Sequence, residues 1–372
     1  MIEKNTVPVW GGSFDPFYLV MREGDDWSPS LDEINSNTYD STKLFRISTN
    51  IDIGISPMSL IILFDGTLVV PNHPDIPKTR ARSIFNAHLT DLLLGGLLVK
   101  EIAPDDVTYG SLNFWGYHRH HTPAGRYSRL SQSLRTRRAD PDESINLIEP
   151  RKIEIDDYLG YQTRGSAISN KLHPNFPTVF LPATTAYCEE NWERSLILGW
   201  CSIELLIEQL WVGKITSNAK VNGITQKRRK DFLSDTRTWS SSSRIELLWQ
   251  KEHMSDELYA LIDKARAARN SFIHTARNCT PEDSRSAIKA ALLLVDTISS
   301  EENLPFDFSA TMAKMDESTH EFSSPVADED GRLLSEPTFW RYPDPAPGFE
   351  DWGDRPFEKI SEIELKPENE KA

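Results

Sequence analysis

The stretch WERSLILGWCSIELLIEQLW, Trp192–Trp211, decides how the second half of this chain folds. Its apolar positions are Leu196, Gly199, Trp200, Ile203, Leu206, Ile207, Leu210 and Trp211. They recur every three or four residues over more than five turns, which predicts a long amphipathic helix. Downstream, Gln226–Leu233 (QKRRKDFL) opens a second helix. Ser240–Ser243 offers caps for a third, Arg244–His253. Ser255 caps a fourth, with Asp256 and Glu257 in its first turn and Leu258, Leu261, Ile262, Ala265, Ala268 and Phe272 along its inner face. Thr280-Pro281-Glu282-Asp283 starts a fifth, lined by Ile288, Ala291, Leu292, Val295 and Ile298. Five helices with short connections describe a bundle over residues 186–300.

Upstream, residues 1–185 read as an α+β domain of undefined topology. The first forty residues are turn-rich and predict little regular structure. Leu44–Ile55 alternates as a strand does, and Met58–Val70 carries Asp65-Gly66 between two β-rich runs, a hairpin signal. Thr79–Leu98 reads as a helix ended by Gly95-Gly96. Residues 100–150 read as loops, and Ile153–Pro182 as irregular chain with room for a strand and a long connection. This domain is expected to recognise a trigger, a substrate or a regulator.

Charge is unevenly spread. Of the 56 acidic and 41 basic side chains, Glu301–Ala372 holds 19 and 7, so most of the net −15 sits there. That region, with its many Pro and scattered aromatics, reads as an extended or disordered acidic tail. It has the character of an RNA mimic, and removing residues 305–372 is expected to raise any ribonuclease activity. The nearly neutral remainder can still present a basic surface to a phosphate backbone. Three cysteines, Cys188, Cys201 and Cys279, without paired spacing argue against a disulfide framework and for a cytoplasmic protein. No apolar run approaches the roughly 18–20 residues of a membrane span, so no membrane partner is expected.

The chemistry-bearing stretch is Ala267-Ala-Arg-Asn-Ser-Phe-Ile-His274. Arg269 is followed by the polar Asn270, and four residues separate Arg269 from His274. This resembles the signature of the HEPN superfamily, over roughly Cys188–Ser300. The motif lies at the end of the penultimate helix, where that family carries it. Among HEPN proteins the spacing is most similar to the Apea-like members associated with phage defence. The resemblance implies a homodimer whose facing motifs cleave RNA without a metal or other cofactor, leaving a 2′,3′-cyclic phosphate and a free 5′-hydroxyl. It further implies a toxin or antiviral effector, with a protein or phage-derived trigger.

Geometry argues alongside. At 100° per residue, Arg269 sits on the apolar seam and His274 is about 140° around from it, so one helix alone does not bring them together. A histidine can take the proton of a ribose 2′-hydroxyl, and a guanidinium can steady a phosphate as charge builds. Asn270 could hold the phosphate or the imidazole, and Glu204 could orient Arg269. Lys227, Arg228, Arg229 and Lys230 could grip RNA phosphates.

Each of these admits a plainer role. Arg269 would pair with Glu204 or Glu208, His274 would cap its helix, and the basic run would be a solvated face. Two other functions stay open: a non-catalytic dimeric HEPN binding or sensor module, and a metal enzyme. For the latter, His118 and His120 would share a face of a strand, with His88 and Asp91 one helical turn apart as further ligands.

Overall fold

In the computed structural model, residues 6–36, 38–113, 118–120, 150–217, 226–304, 306–320, 339–341 and 358–360 are described. An N-terminal sheet region is followed by a helical region. Six strands form an antiparallel sheet in the order β3-β4-β5-β1-β6-β7: β1 (Thr6–Gly12), β3 (Ile47–Ile55), β4 (Met58–Leu63), β5 (Leu68–Pro71), β6 (Val107–Asn113) and β7 (His118–His120). The expected hairpin joins β4 to β5. Gly66 turns it at φ +77°, and Asp65 accepts a 3.0 Å bond from the Thr67 amide. Two short helices, α1 (Leu31–Ser36) and α2 (Ser41–Leu44), lead into β3, and β2 (Tyr18–Met21) pairs in parallel with β8 (Arg151–Glu154).

The first forty residues are more ordered than expected. β1 lies inside the sheet, flanked by β5 and β6. Its pattern is hidden by Pro8 and by Gly11-Gly12. The second of those glycines serves packing: a Cβ on Gly12 would stand 2.9 Å from Ile102 and 3.0 Å from Phe85. The loop expected over 100–150 includes β6, and Ile153–Pro182 is largely helical.

Against the sheet lies α3 (Lys78–Leu94), crossed by α4 (Ile155–Ser169). Then follow α5 (Phe176–Cys188), α6 (Trp192–Leu210), α7 (Gln226–Ser234), α8 (Ser241–Gln250), α9 (Asp256–Thr275) and α10 (Pro281–Glu301). The capping signals hold: Ser240, Ser255 and Thr280 each accept a backbone amide, and Thr280 with Asp283 forms a capping box. Beyond Leu210 the helix widens into a π segment, Trp211–Thr216, closed by a 2.9 Å bond from the Ser217 amide to the Val212 carbonyl. Trp192–Thr216 is apolar and long enough for a membrane span by composition, although no uninterrupted run suggested it. Half of its most apolar 18-residue window is buried, and Trp200, Ile203, Leu206, Ile207 and Trp211 lie in the core.

One hydrophobic core joins both regions, from Phe14 through Phe85 and Leu206 to Met315. Buried Glu101 fastens them electrostatically, taking Arg82 of α3 at 3.1 Å and also Arg194 of α6. The tail expectation needs correction at its start. Phe308–His320 is a helix, α11, and Thr311, Met312 and Met315 are buried. Met1–Thr319 forms one compact unit and His320–Ala372 another, which contains the antiparallel pair β9 (Phe339–Arg341) and β10 (Glu358–Ile360).

Candidate functional site

Arg269, Asn270 and His274 all lie on α9, which runs unbroken through them. Ala265 and Ala268 turn inward, so Arg269 stands at the margin of the packed face and is half-buried. Its Nη1 donates to the Asn270 Oδ1 at 3.0 Å, and among the described residues the rest of the guanidinium stays available to an oxyanion. His274 occupies the last turn and is exposed. The helix ends two residues later at Ala276, in the left-handed conformation at φ +52°. Ile273, beside His274, is 48% exposed, an unusual position for a large aliphatic side chain. Over five residues of helix the two candidate groups diverge by about 140° and lie about 7.5 Å apart along the axis. Within one chain they do not converge.

Glu204 lies nearby on α6 but engages another residue: its Oε1 accepts from Ser241 Oγ at 3.0 Å. Glu208 pairs with Arg244. The ion pairs expected for Arg269 with Glu204 or Glu208 are therefore replaced by the Asn270 contact. Arg269 and Glu204 share a neighbour, Cys201. Burial pushes its thiol upward, Glu204 adds to the rise, and Arg269 counters it. Arg269 and Glu204 thus both lie near Cys201 on one face of α6. Sequence reading passed over Ser241 and Arg244 as members of this cluster. Their spacing of three on α8 puts both on the side facing α6, and that spacing was the available signal.

Lys227, Arg228 and Arg229 are exposed on α7, as a surface that meets solvent or phosphate requires; the side chain of Lys230 lies outside the described residues. The metal alternative fares differently. His88 is buried, and its Nε2 shares a 2.6 Å hydrogen bond with the Tyr158 hydroxyl, so it offers no free ligand there. Burial pulls its imidazole down to about 3. Asp91 is pushed up to about 6 by burial, partly offset by a hydrogen bond from Ser169. His118 and His120 fall on β7, opposite Leu112 and Gly110, but their side chains lie outside the described residues. No cluster of three or more metal-ligating side chains occurs among the described residues.

Among the described residues, clefts lie elsewhere. One, about 500 Å³, opens beside the parallel β2–β8 pair and includes Tyr18, Arg22, Lys152, Asp157 and Tyr161. The other, about 400 Å³, lies where Gly95 and Gly96 meet Arg164 and Lys314. Neither is lined by Arg269 or His274. Comparison with known proteins finds no matching family model, no matching curated protein and no matching solved structure.

Proposed function

We propose that this chain is a metal-independent endoribonuclease of HEPN type, working as a homodimer. The observation that carries the reading is the Arg269–Asn270 contact on the same helix end that exposes His274. The asparagine holds the guanidinium at the edge of the packed face, and the imidazole is exposed to solvent. Their divergence supports pairing of two chains, since a second α9 would supply the missing partner across a two-fold axis. The exposed Ile273 supports the same arrangement, with an aliphatic contact next to each imidazole.

In such a pair, His274 removes the proton of a ribose 2′-hydroxyl, whose oxygen attacks the adjacent phosphorus. The bond from phosphorus to the 5′-oxygen breaks, that oxygen takes a proton from water or from the second chain's imidazolium, and a 2′,3′-cyclic phosphate remains. Arg269 steadies the phosphate oxygens as negative charge gathers. Asn270 is a positioning residue for Arg269, and the basic face of α7 gives the strand an electrostatic grip. A role as a toxin or phage-defence effector, set off by a protein trigger, follows from the HEPN resemblance alone.

The test is cleavage of RNA by the purified full-length chain in EDTA, with mass determination in solution. Cleavage with cyclic-phosphate ends is expected from a dimer, and His274→Ala should reduce it by at least about a hundredfold, the scale of one lost acid–base group. The helical circular dichroism should not change. A monomer that leaves RNA intact would sink the proposal. RNA binding without cleavage would instead identify a dimeric binding module.

A further inference from the structure

Around Trp211 the chain gathers hydrogen-bond donors that its own packing leaves unused. Arg244 of α8 is 5% exposed. Its Nη1 pairs with Glu208 of α6, and its guanidinium lies 5.5 Å from the centre of the Trp211 ring. Its two remaining nitrogens, Nε and Nη2, are buried and meet no acceptor among the described residues. These two N–H groups share one edge of the guanidinium plane. That edge is the two-donor fork that matches a pair of oxygens on a phosphate. Trp239 adds a third donor. Its ring lies 5.1 Å from Trp211, and its Nε1 is likewise buried without an acceptor.

Burying a charged fork without partners costs stability, and an aromatic face answers only part of that cost. The carboxylate of Glu208 balances the charge but engages only Nη1. The unmatched chemistry is that of an acceptor with two adjacent oxygens. We propose that Arg244, seated on Trp211, holds a phosphate group through its Nε and Nη2 edge, with Trp239 Nε1 as an additional donor and Glu208 fixing the guanidinium. The source of that phosphate rests on the ribonuclease reading, under which it belongs to the RNA strand. Arg244 and Arg269 flank the same face of α6: Glu208 meets Arg244, Glu204 meets Ser241 one turn earlier, and Cys201 feels Arg269 one turn before that. From Cys201 to Glu208 the face rises through seven residue steps, about 10 Å.

The experiment measures thermal unfolding of the full chain in inorganic phosphate against chloride at matched ionic strength. Phosphate should raise the wild-type midpoint, because a ligand of the folded state stabilises it. Arg244→Lys, which keeps the charge and loses the fork, should abolish the rise. Trp239→Phe, which keeps a ring and loses one donor, should shift the phosphate dependence several-fold upward. Lys264→Gln, at an exposed cation away from the cluster, should leave it unchanged. Equal stabilisation of wild type, Arg244→Lys and Trp239→Phe would overturn the proposal, as would no stabilisation of wild type.

A second arm measures binding of single-stranded RNA by the His274→Ala protein. Adding Arg244→Lys should weaken it at least about tenfold, the loss of two charge-assisted hydrogen bonds. If RNA binding is unchanged while the phosphate response disappears, the site stands and takes a free anion. If the wild type cleaves no RNA yet shows the Arg244-dependent phosphate response, the ribonuclease reading fails and the oxyanion site stands.

Discussion

The imidazole of His88 and the hydroxyl of Tyr158 meet at 2.6 Å in a region that excludes solvent. Burial disfavours the charged imidazole, so the folded protein holds it neutral down to about pH 3, whereas an unfolded chain protonates it near 6.5. A base whose folded value is depressed contributes its full stability above the unfolded value. That contribution is lost as pH falls through the window between 6.5 and 3. At pH 4 the loss is about 3 kcal/mol. Asp91 has the opposite sign. Its carboxyl is raised to about 6, so acidification from 6 toward 4 favours the folded state. Urea midpoints at pH 6.5 and pH 4 separate the two. His88→Gln should flatten the fall in stability on acidification, and Asp91→Asn should steepen it. Parallel pH slopes in wild type and both variants would contradict this account.

The helices α3 and α4 touch through backbone. A Cβ on Gly165 would stand 1.6 Å from the Asp91 carbonyl oxygen, and one on Gly95 would stand 1.9 Å from that of Tyr161. No side chain fits at either place without separating the helices. Gly165→Ala should therefore cost more than about 3 kcal/mol, the upper range for overpacking at a rigid contact. Gly213→Ala is the control: a Cβ there meets nothing within 4 Å, and better helix propensity should make it neutral or stabilising by up to about 1 kcal/mol. Urea unfolding of both variants checks the contrast.

These same glycines explain what the amino-acid pattern concealed. Gly160 and Gly165 weaken the helical signal of Ile155–Ser169, although the second permits the crossing. In α5 the run Phe180–Cys188 is buried at every position, so no polar face marks its period, and Pro182 sits inside it. By contrast α6, α9 and α10 each keep one face wet, and their caps use local side chains. They were legible for that reason. The candidate site was legible only along one helix: Arg269, Asn270 and His274 follow from spacing. Ser241 and Arg244 come from another helix, and their approach to α6 is a matter of packing.

At the scale of the molecule, the acidic C-terminal region divides at α11. Asp316 accepts a 2.6 Å hydrogen bond from the Tyr187 hydroxyl and a two-nitrogen grip from Arg285, while Lys314 reaches the Gly96 carbonyl at 2.6 Å. With Met312 and Met315 buried, α11 belongs to the body. A chain ending at His320 should unfold at nearly the full-length temperature. One ending at Leu304 should lose several kcal/mol, since two core methionines and this ionic clasp go with it. Differential scanning calorimetry decides between them, and equal midpoints would remove α11 from the fold's support. A test of the acidic region as an RNA mimic therefore has to begin its deletion after His320, not at residue 305.

The π segment after Leu210 also has a geometric consequence. Each backbone bond there reaches one residue further than in an α-helix, which amounts to one extra residue accommodated within the winding. One residue turns a helix by about 100°. Val212 to Thr216 therefore present their side chains about 100° around from the positions a regular continuation would give them. Excising a single residue between Val212 and Ile215 would restore the ordinary pitch and turn the last side chains of this helix through that angle, while the bond from Trp211 Nε1 to the Leu233 carbonyl would still hold the basic helix in place.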